Sequence, residues 1–270
     1  MLPTIFNIGP FHLLTLSLFQ ALAFFSCGLI FWRRAKEESY SEAKVFDGFL
    51  LSFIVGWLSG RAGHVLANPD QFGWDVLKWL NVVHYPGIQL LFALVGATLY
   101  LYFYAQKQKW DAFEILDWWS QSLVMGLIWL YLGYFFAGVL FGNTTQMPWG
   151  IVFPGVFEPR HPTQVYYVIF LLAIYKLLSW LEYHYRTFNW YRSGKKTAQT
   201  GFLFIVFLTS YGLFSLLMSF FQSSQIQIGE MVFDGLAYLG LVIFGLCLML
   251  VRANRSFFSF KQKKFLAIKK

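Results

Sequence analysis

Charge is what this sequence has least of. Asp, Glu, Lys and Arg make up 13% of its 270 residues, about half the share of an ordinary soluble domain. With so little charge, a chain carrying 32 Phe and 11 Trp has no way to hide them all in a water-soluble core. Cysteine is nearly missing too. Cys27 and Cys247 each sit inside an apolar run, which excludes a disulfide scaffold and makes both packing residues. The five histidines, His12, His64, His84, His161 and His184, show no paired ligand spacing, so neither a metal nor a cofactor is expected. G-x-S-x-G, P-loop and H-E-x-x-H motifs are absent. So are internal repeats, heptads and low-complexity linkers. No basic segment precedes the first apolar run, and no small-residue cleavage site follows it before Trp32-Arg33-Arg34. A cleavable signal peptide is therefore not expected.

What is present is apolar: 57% hydrophobic and 21% aromatic residues, with a mean hydropathy of +0.53. Apolar runs of about 20 residues are long enough, as helices, to cross a bilayer. Seven such runs are found, at 11–32, 46–63, 84–105, 115–140, 163–182, 201–221 and 231–251. The expected fold is all-α, a polytopic membrane protein with about seven transmembrane helices in one domain over 1–251, followed by a basic tail over 252–270. The net charge of +8 is distributed unevenly. Arg33, Arg34, Lys36, Lys44, Lys107, Lys109, Arg186, Arg192, Lys195, Lys196 and the seven basic residues from Arg252 to Lys270 follow odd-numbered spans. Arg61, Lys78 and Arg160 fall on the other side, and Lys176 lies within a span. The positive-inside rule then puts the N-terminus out and the C-terminus in. The tail FFSFKQKKFLAIKK suits anionic membrane lipid; nucleic acid is not an expected partner.

Most polar residues of interest fall at the outer side, in three clusters. In SGRAGHVLANPD, Ser59 to Asp70, Gly60 and Gly63 allow close approach. Arg61 is there either a snorkelling interface residue or a bidentate ligand for a lipid phosphate. In NVVHYPGIQ, residues 81–89, Pro86 suits a first helical turn. Tyr85 is either an aromatic anchor or a site residue, and His84 can serve as a base near neutral pH. The third stretch, FGNTTQMPWGIVFPGVFEPRHPTQVYY, residues 141–167, crowds prolines, Asn143, Gln146, Glu158, Arg160 and His161 between apolar runs. Pro162 precedes a new span whose first turn holds Thr163 and Gln164. A helix start of this kind attracts anions.

These stretches resemble the prolipoprotein diacylglyceryl transferase family. GYFFAGVLFG (133–142), then PWGIVFP and RHPTQVYY, is similar to the family's central signature; IGPFHLL, SGRAGHVL and HYPGIQ match motifs of its N-terminal part. The resemblance covers about residues 5–250, and RHPTQ after PWG..FP is its most specific part. It implies transfer of a diacylglyceryl group from phosphatidylglycerol to the lipobox cysteine of a prolipoprotein signal peptide, with release of glycerol phosphate, in the bacterial plasma (inner) membrane. Carried over position by position, it implies catalytic roles for Tyr85, His84 and His161. Phosphate or headgroup binding would fall to Arg61, Gly142, Asn143, Arg160, Gln164 and Tyr166. The sequence also departs from the family. Tyr131 stands where an Arg is expected, Tyr134 where Asn is usual and Tyr167 where a Glu ends the RHP motif. Ser215 and Gln222 occupy the sixth-span stretch where a second key Arg belongs. Each guanidinium removed from a phosphate site takes away charge-assisted hydrogen bonds of about 1.5–3 kcal/mol. Two alternatives stay open: a relative that binds lipid or lipoprotein without turnover, and a small-solute transporter. Lys176 and Asp117 are the only mid-span charges for the latter.

Overall fold

Helices of the length the apolar runs require make up the body of the protein in a computed structural model. It describes residues 4–8, 11–73, 75–82, 84–186, 199–222, 227–228, 231–232 and 234–252. Nine helices are seen among these residues: α1 Thr15–Glu37, α2 Glu42–Ala67, α3 Pro69–Phe72, α4 Val76–Leu80, α5 Leu90–Lys107, α6 Ala112–Ala137, α7 Thr163–Arg186, α8 Phe202–Met218 and α9 Asp234–Arg252. Six of them, α1, α2, α5, α6, α7 and α9, are long and apolar enough to cross a membrane; α8 is a shorter apolar helix. The basic tail from residue 253 lies outside the described residues, as do Arg192, Lys195 and Lys196, and Gly9 and Pro10 of the opening motif.

Two boundaries differ from expectation. Residues 11–14 are a strand, β2 (Phe11–Leu14), paired antiparallel with β1 (Thr4–Ile8), so α1 starts only at Thr15. A second short hairpin joins Gln227–Ile228 to Met231–Val232. Pro86 does not open a helix: residues 84–89 are loop, and α5 begins at Leu90 after the N-cap Gln89. Gly87, at φ 147°, explains the delay, because its backbone lies against the His64 ring where a Cβ would collide. That conformation is open to glycine and costly for other residues.

The central element is α6, buried without interruption from Ile115 to Val124. It packs against α1, α7, α5 and α8, while α2 pairs with α5 and α9 with α8. Small residues let the α2–α5 pair approach closely. A Cβ on Gly56 would stand 2.9 Å from Ala97 Cβ, and one on Gly60 2.9 Å from Ala93 Cβ. At the end of the bundle that carries Arg34, Lys107 and Arg252, side chains tie the helices together. Arg34 donates to Glu182 and, over 2.8 Å, to Gln121, whose amide also donates to Glu182. Asp117, fully buried, accepts from the backbone N–H groups of Gly201 and Phe204, each at 2.8 Å. It thus caps the first turn of α8 from another helix, where free N–H groups and the helix dipole favour a carboxylate. Cys27 is buried and Cys247 exposed, both as free thiols.

Candidate active site

At the opposite end, α6 stops at Gly138, which takes the left-handed conformation common after a helix (φ 72°). The chain that follows is held by main-chain pairing. Gly142 N donates to His161 O (2.8 Å) and His161 N to Asn143 O (3.0 Å). Thr145 N donates to Pro159 O (2.9 Å), and Ile151 and Arg160 exchange a pair of bonds at 3.0 Å. Asn143 N adds a bond to Phe221 O beyond α8 (2.7 Å). Phe153, 1% exposed, stacks on Phe141 and anchors the loop from below. The stretch that breaks the apolar pattern is therefore a folded cap. Gly142 is its tightest point, since a Cβ there would stand 2.5 Å from Phe221 O and 2.9 Å from His161 Cβ.

This pairing gathers six of the nine sequence-derived site residues. Arg160 lies over the Phe141 ring at 5.2 Å and reaches Gly142 O at 3.5 Å. Its Nε is buried with no hydrogen-bond partner among the described residues. His161 Nδ1 is 3.3 Å from Tyr166 Oη, which accepts a bond from Trp149 Nε1 at 2.8 Å. Asn143 is exposed. Gln164, fully buried, donates to Val139 O at 2.6 Å, and its Oε1 has no hydrogen-bond partner among the described residues. Thr163 and Gln164 do begin α7, but their side chains turn back to the carbonyls that end α6 rather than outward; Thr163 Oγ1 donates to Leu140 O at 2.9 Å. Gln222, in the stretch where the resemblance leads one to expect an arginine, donates to Thr163 Oγ1 at 2.8 Å.

Arg61, His84 and Tyr85 form a separate cluster at the same end. Arg61 is 4% exposed, and its guanidinium donates to Trp79 O (2.8 Å), Gly87 O (3.0 Å) and Lys78 O (3.2 Å). It also lies 5.0 Å from the Phe72 ring centre. The fork is turned onto loop backbone, so this arginine holds the 68–89 loop in place. Tyr85 meets Phe72 edge-on at 5.9 Å, and exposed His84 pairs with Asn81 Oδ1 at 3.0 Å. Among the described residues no three His, Cys, Asp or Glu side chains gather into a set able to hold a metal ion. The two mid-span charges have plain places: Asp117 caps α8, and Lys176 is exposed on α7.

A third group was not assembled by sequence reasoning. Tyr131 and Tyr167 stack with centroids 4.2 Å apart at 4°, and Tyr131 Oη is 3.4 Å from Tyr211 Oη. Ser215, fully buried, sits beside the Tyr167 and Tyr211 hydroxyls without a hydrogen bond of good geometry. Three of the departures from the family pattern, at 131, 167 and 215, thus meet in one neutral hydroxyl cluster inside the bundle. Each looked like an isolated loss because the residues lie on three different helices.

A bundle of membrane-length helices with a folded polar cap at one end is the architecture of an integral-membrane protein. A profile of the prolipoprotein diacylglyceryl transferase family matches residues 3–258. The chain belongs to that family. It is 28% identical over 235 residues to the phosphatidylglycerol–prolipoprotein diacylglyceryl transferase of Mannheimia succiniciproducens, covering 84% of this chain and 82% of that protein. With the protein of the same name from Shewanella sp. strain MR-4 it shares 28% over 265 residues, 92% of this chain and 94% of the relative. With that of Pasteurella multocida it shares 28% over 235 residues, 84% and 81%.

Proposed function

We propose that the chain transfers the diacylglyceryl group of phosphatidylglycerol to the lipobox cysteine of a prolipoprotein at the outer face of a bacterial plasma membrane, with its N-terminus out and its C-terminus in. The sulfur forms a bond to the glyceryl carbon, the carbon–oxygen bond to phosphate breaks, and glycerol phosphate leaves. The thiol proton has to go to a base, because thiolate is the nucleophile. The single observation that carries this proposal is the buried Nε of Arg160, without a partner among the described residues, beside the His161–Tyr166 pair. A buried guanidinium N–H left unused just before a helix start suits a phosphate oxygen on which charge grows during transfer. His161, held by Tyr166, is the base we favour. Arg61 serves by holding the loop that carries His84 and Tyr85, and Gly142, Asn143 and Gln164 shape the mouth.

The test uses the purified chain in phosphatidylglycerol vesicles with a lipobox peptide, and mass spectrometry reads the thioether-linked diacylglyceryl product. Arg160→Ala is expected to slow transfer about 10- to 100-fold, the worth of one charge-assisted bond made in the transition state. An unchanged rate removes Arg160 from the site. A second possibility, binding without turnover, is favoured by the neutral cluster at Tyr131, Tyr167 and Ser215. It predicts that the wild-type chain retains peptide and lipid yet forms no thioether.

A further inference from the structure

Between α5, α6, α8 and α9 lies a cavity of about 220 Å³. Its floor is Leu123, Phe204, Phe207 and Tyr211, all buried, while the exposed side chains of Val95, Leu99 and Phe244 stand at its rim. Apart from Thr98 and Tyr211 the lining is aliphatic or Phe. Thr98 Oγ1 already accepts from Trp119 Nε1 at 3.0 Å. The cavity follows α8 from Tyr211 to Phe204, about 10 Å of helix, so it runs parallel to the bundle in the direction of a lipid tail. It opens between α5 and α9 onto the apolar outer surface of the body. Tyr211 joins this apolar slot to the hydroxyl cluster of Tyr131, Tyr167 and Ser215. In that cluster the Tyr131–Tyr211 contact is long, at 3.4 Å, and fully buried Ser215 Oγ, beside the Tyr167 and Tyr211 hydroxyls, has no hydrogen bond of good geometry among the described residues. Among the described residues no Lys or Arg belongs to it, and the Asp234 carboxylate lies near Tyr167 and Tyr238. A phosphate is therefore unwelcome there, whereas an uncharged acceptor is well matched, since buried hydroxyls without good partners are costly.

We infer that the slot takes one acyl chain of an ester-linked glyceryl lipid and that the Tyr131–Tyr211–Ser215 hydroxyls hold its ester carbonyl. Tyr211 lies seven residues from the end of α8, about 10 Å below the mouth. An ester held there directs the phosphate of the same lipid toward the mouth that the Arg160 cap covers. The inference deepens the proposed transfer by placing the donor's diacylglyceryl part, and it specifies that recognition reads the ester, not the charge of the headgroup.

The test uses the full chain in dodecylmaltoside micelles, which carry no glyceryl ester, with a diacylglycerol bearing a diazirine on one acyl chain. Adducts are expected on Leu94, Phe207 or Leu208. Unlabelled diester lipid should compete about ten-fold better than its diether analogue, the worth of one or two hydrogen bonds to a carbonyl. Tyr131→Phe with Tyr211→Phe keeps the rings and should abolish that ester preference. Leu99→Trp, at the exposed rim, should cut labelling several-fold without touching the core. Equal competition by diester and diether lipid, or adducts away from the slot, overturns the inference whatever the transfer activity. Intact ester preference in a chain that makes no thioether instead defeats the transfer proposal and leaves this site standing.

Discussion

Two arginines that look alike in the sequence do different work. Arg160 keeps a buried N–H without a partner among the described residues, whereas Arg61 spends its guanidinium on the carbonyls of Lys78, Trp79 and Gly87. Replacing Arg61 with Ala strands three carbonyls around a buried position, at about 1–3 kcal/mol for each that water fails to reach. Hydrogen exchange over residues 75–90 is expected to accelerate in Arg61→Ala. Arg61→Lys should not restore protection, because an ammonium cannot span three acceptors in a fork. Unchanged exchange would show that the loop holds itself. The motif RHPTQ made Arg160, His161 and Gln164 legible in the sequence, since local chain pairing brings them together. The employment of Arg61 was not legible, because its acceptors lie 17 to 26 residues away in a loop with no periodic signal.

The helices were legible where apolar runs are long. Their ends were not, where local backbone demands intervene: Gly87 postpones α5, and the hairpin before Thr15 shortens α1. Asp117 shows the same limit. It looked like a stray mid-span charge, yet its carboxylate closes the first turn of α8, 84 and 87 residues further on. Asp117→Ala removes both acceptors from buried N–H groups, so a loss of about 2–5 kcal/mol is expected. It should appear as a clear drop in the thermal unfolding temperature in detergent, with Asp117→Asn in between. A wild-type-like midpoint for Asp117→Ala would mean that α8 needs no such closure.

Across the whole molecule, the two ends of the bundle differ in charge. Arg33, Arg34, Lys107 and Lys109 lie opposite the Arg160 cap, and the orientation proposed on the positive-inside rule has the cap facing outward. Fully exposed Phe157 marks the cap surface. In a Cys27→Ala, Cys247→Ala background, Phe157→Cys is expected to react with an impermeant maleimide added to intact cells, and Lys107→Cys only after permeabilisation. The reverse pattern inverts the assigned orientation.

The cap owes its shape to bonds between peptide groups, from Gly142–His161 to Ile151–Arg160, and peptide groups are common to every residue type save proline's missing N–H. Its contour is thus insulated from the identity of most side chains mounted on it. The basic end, sewn by Arg34, Gln121, Glu182 and Asp117, has no such insulation. A protein built this way can exchange the chemical fittings of its entrance while the doorway itself keeps its dimensions.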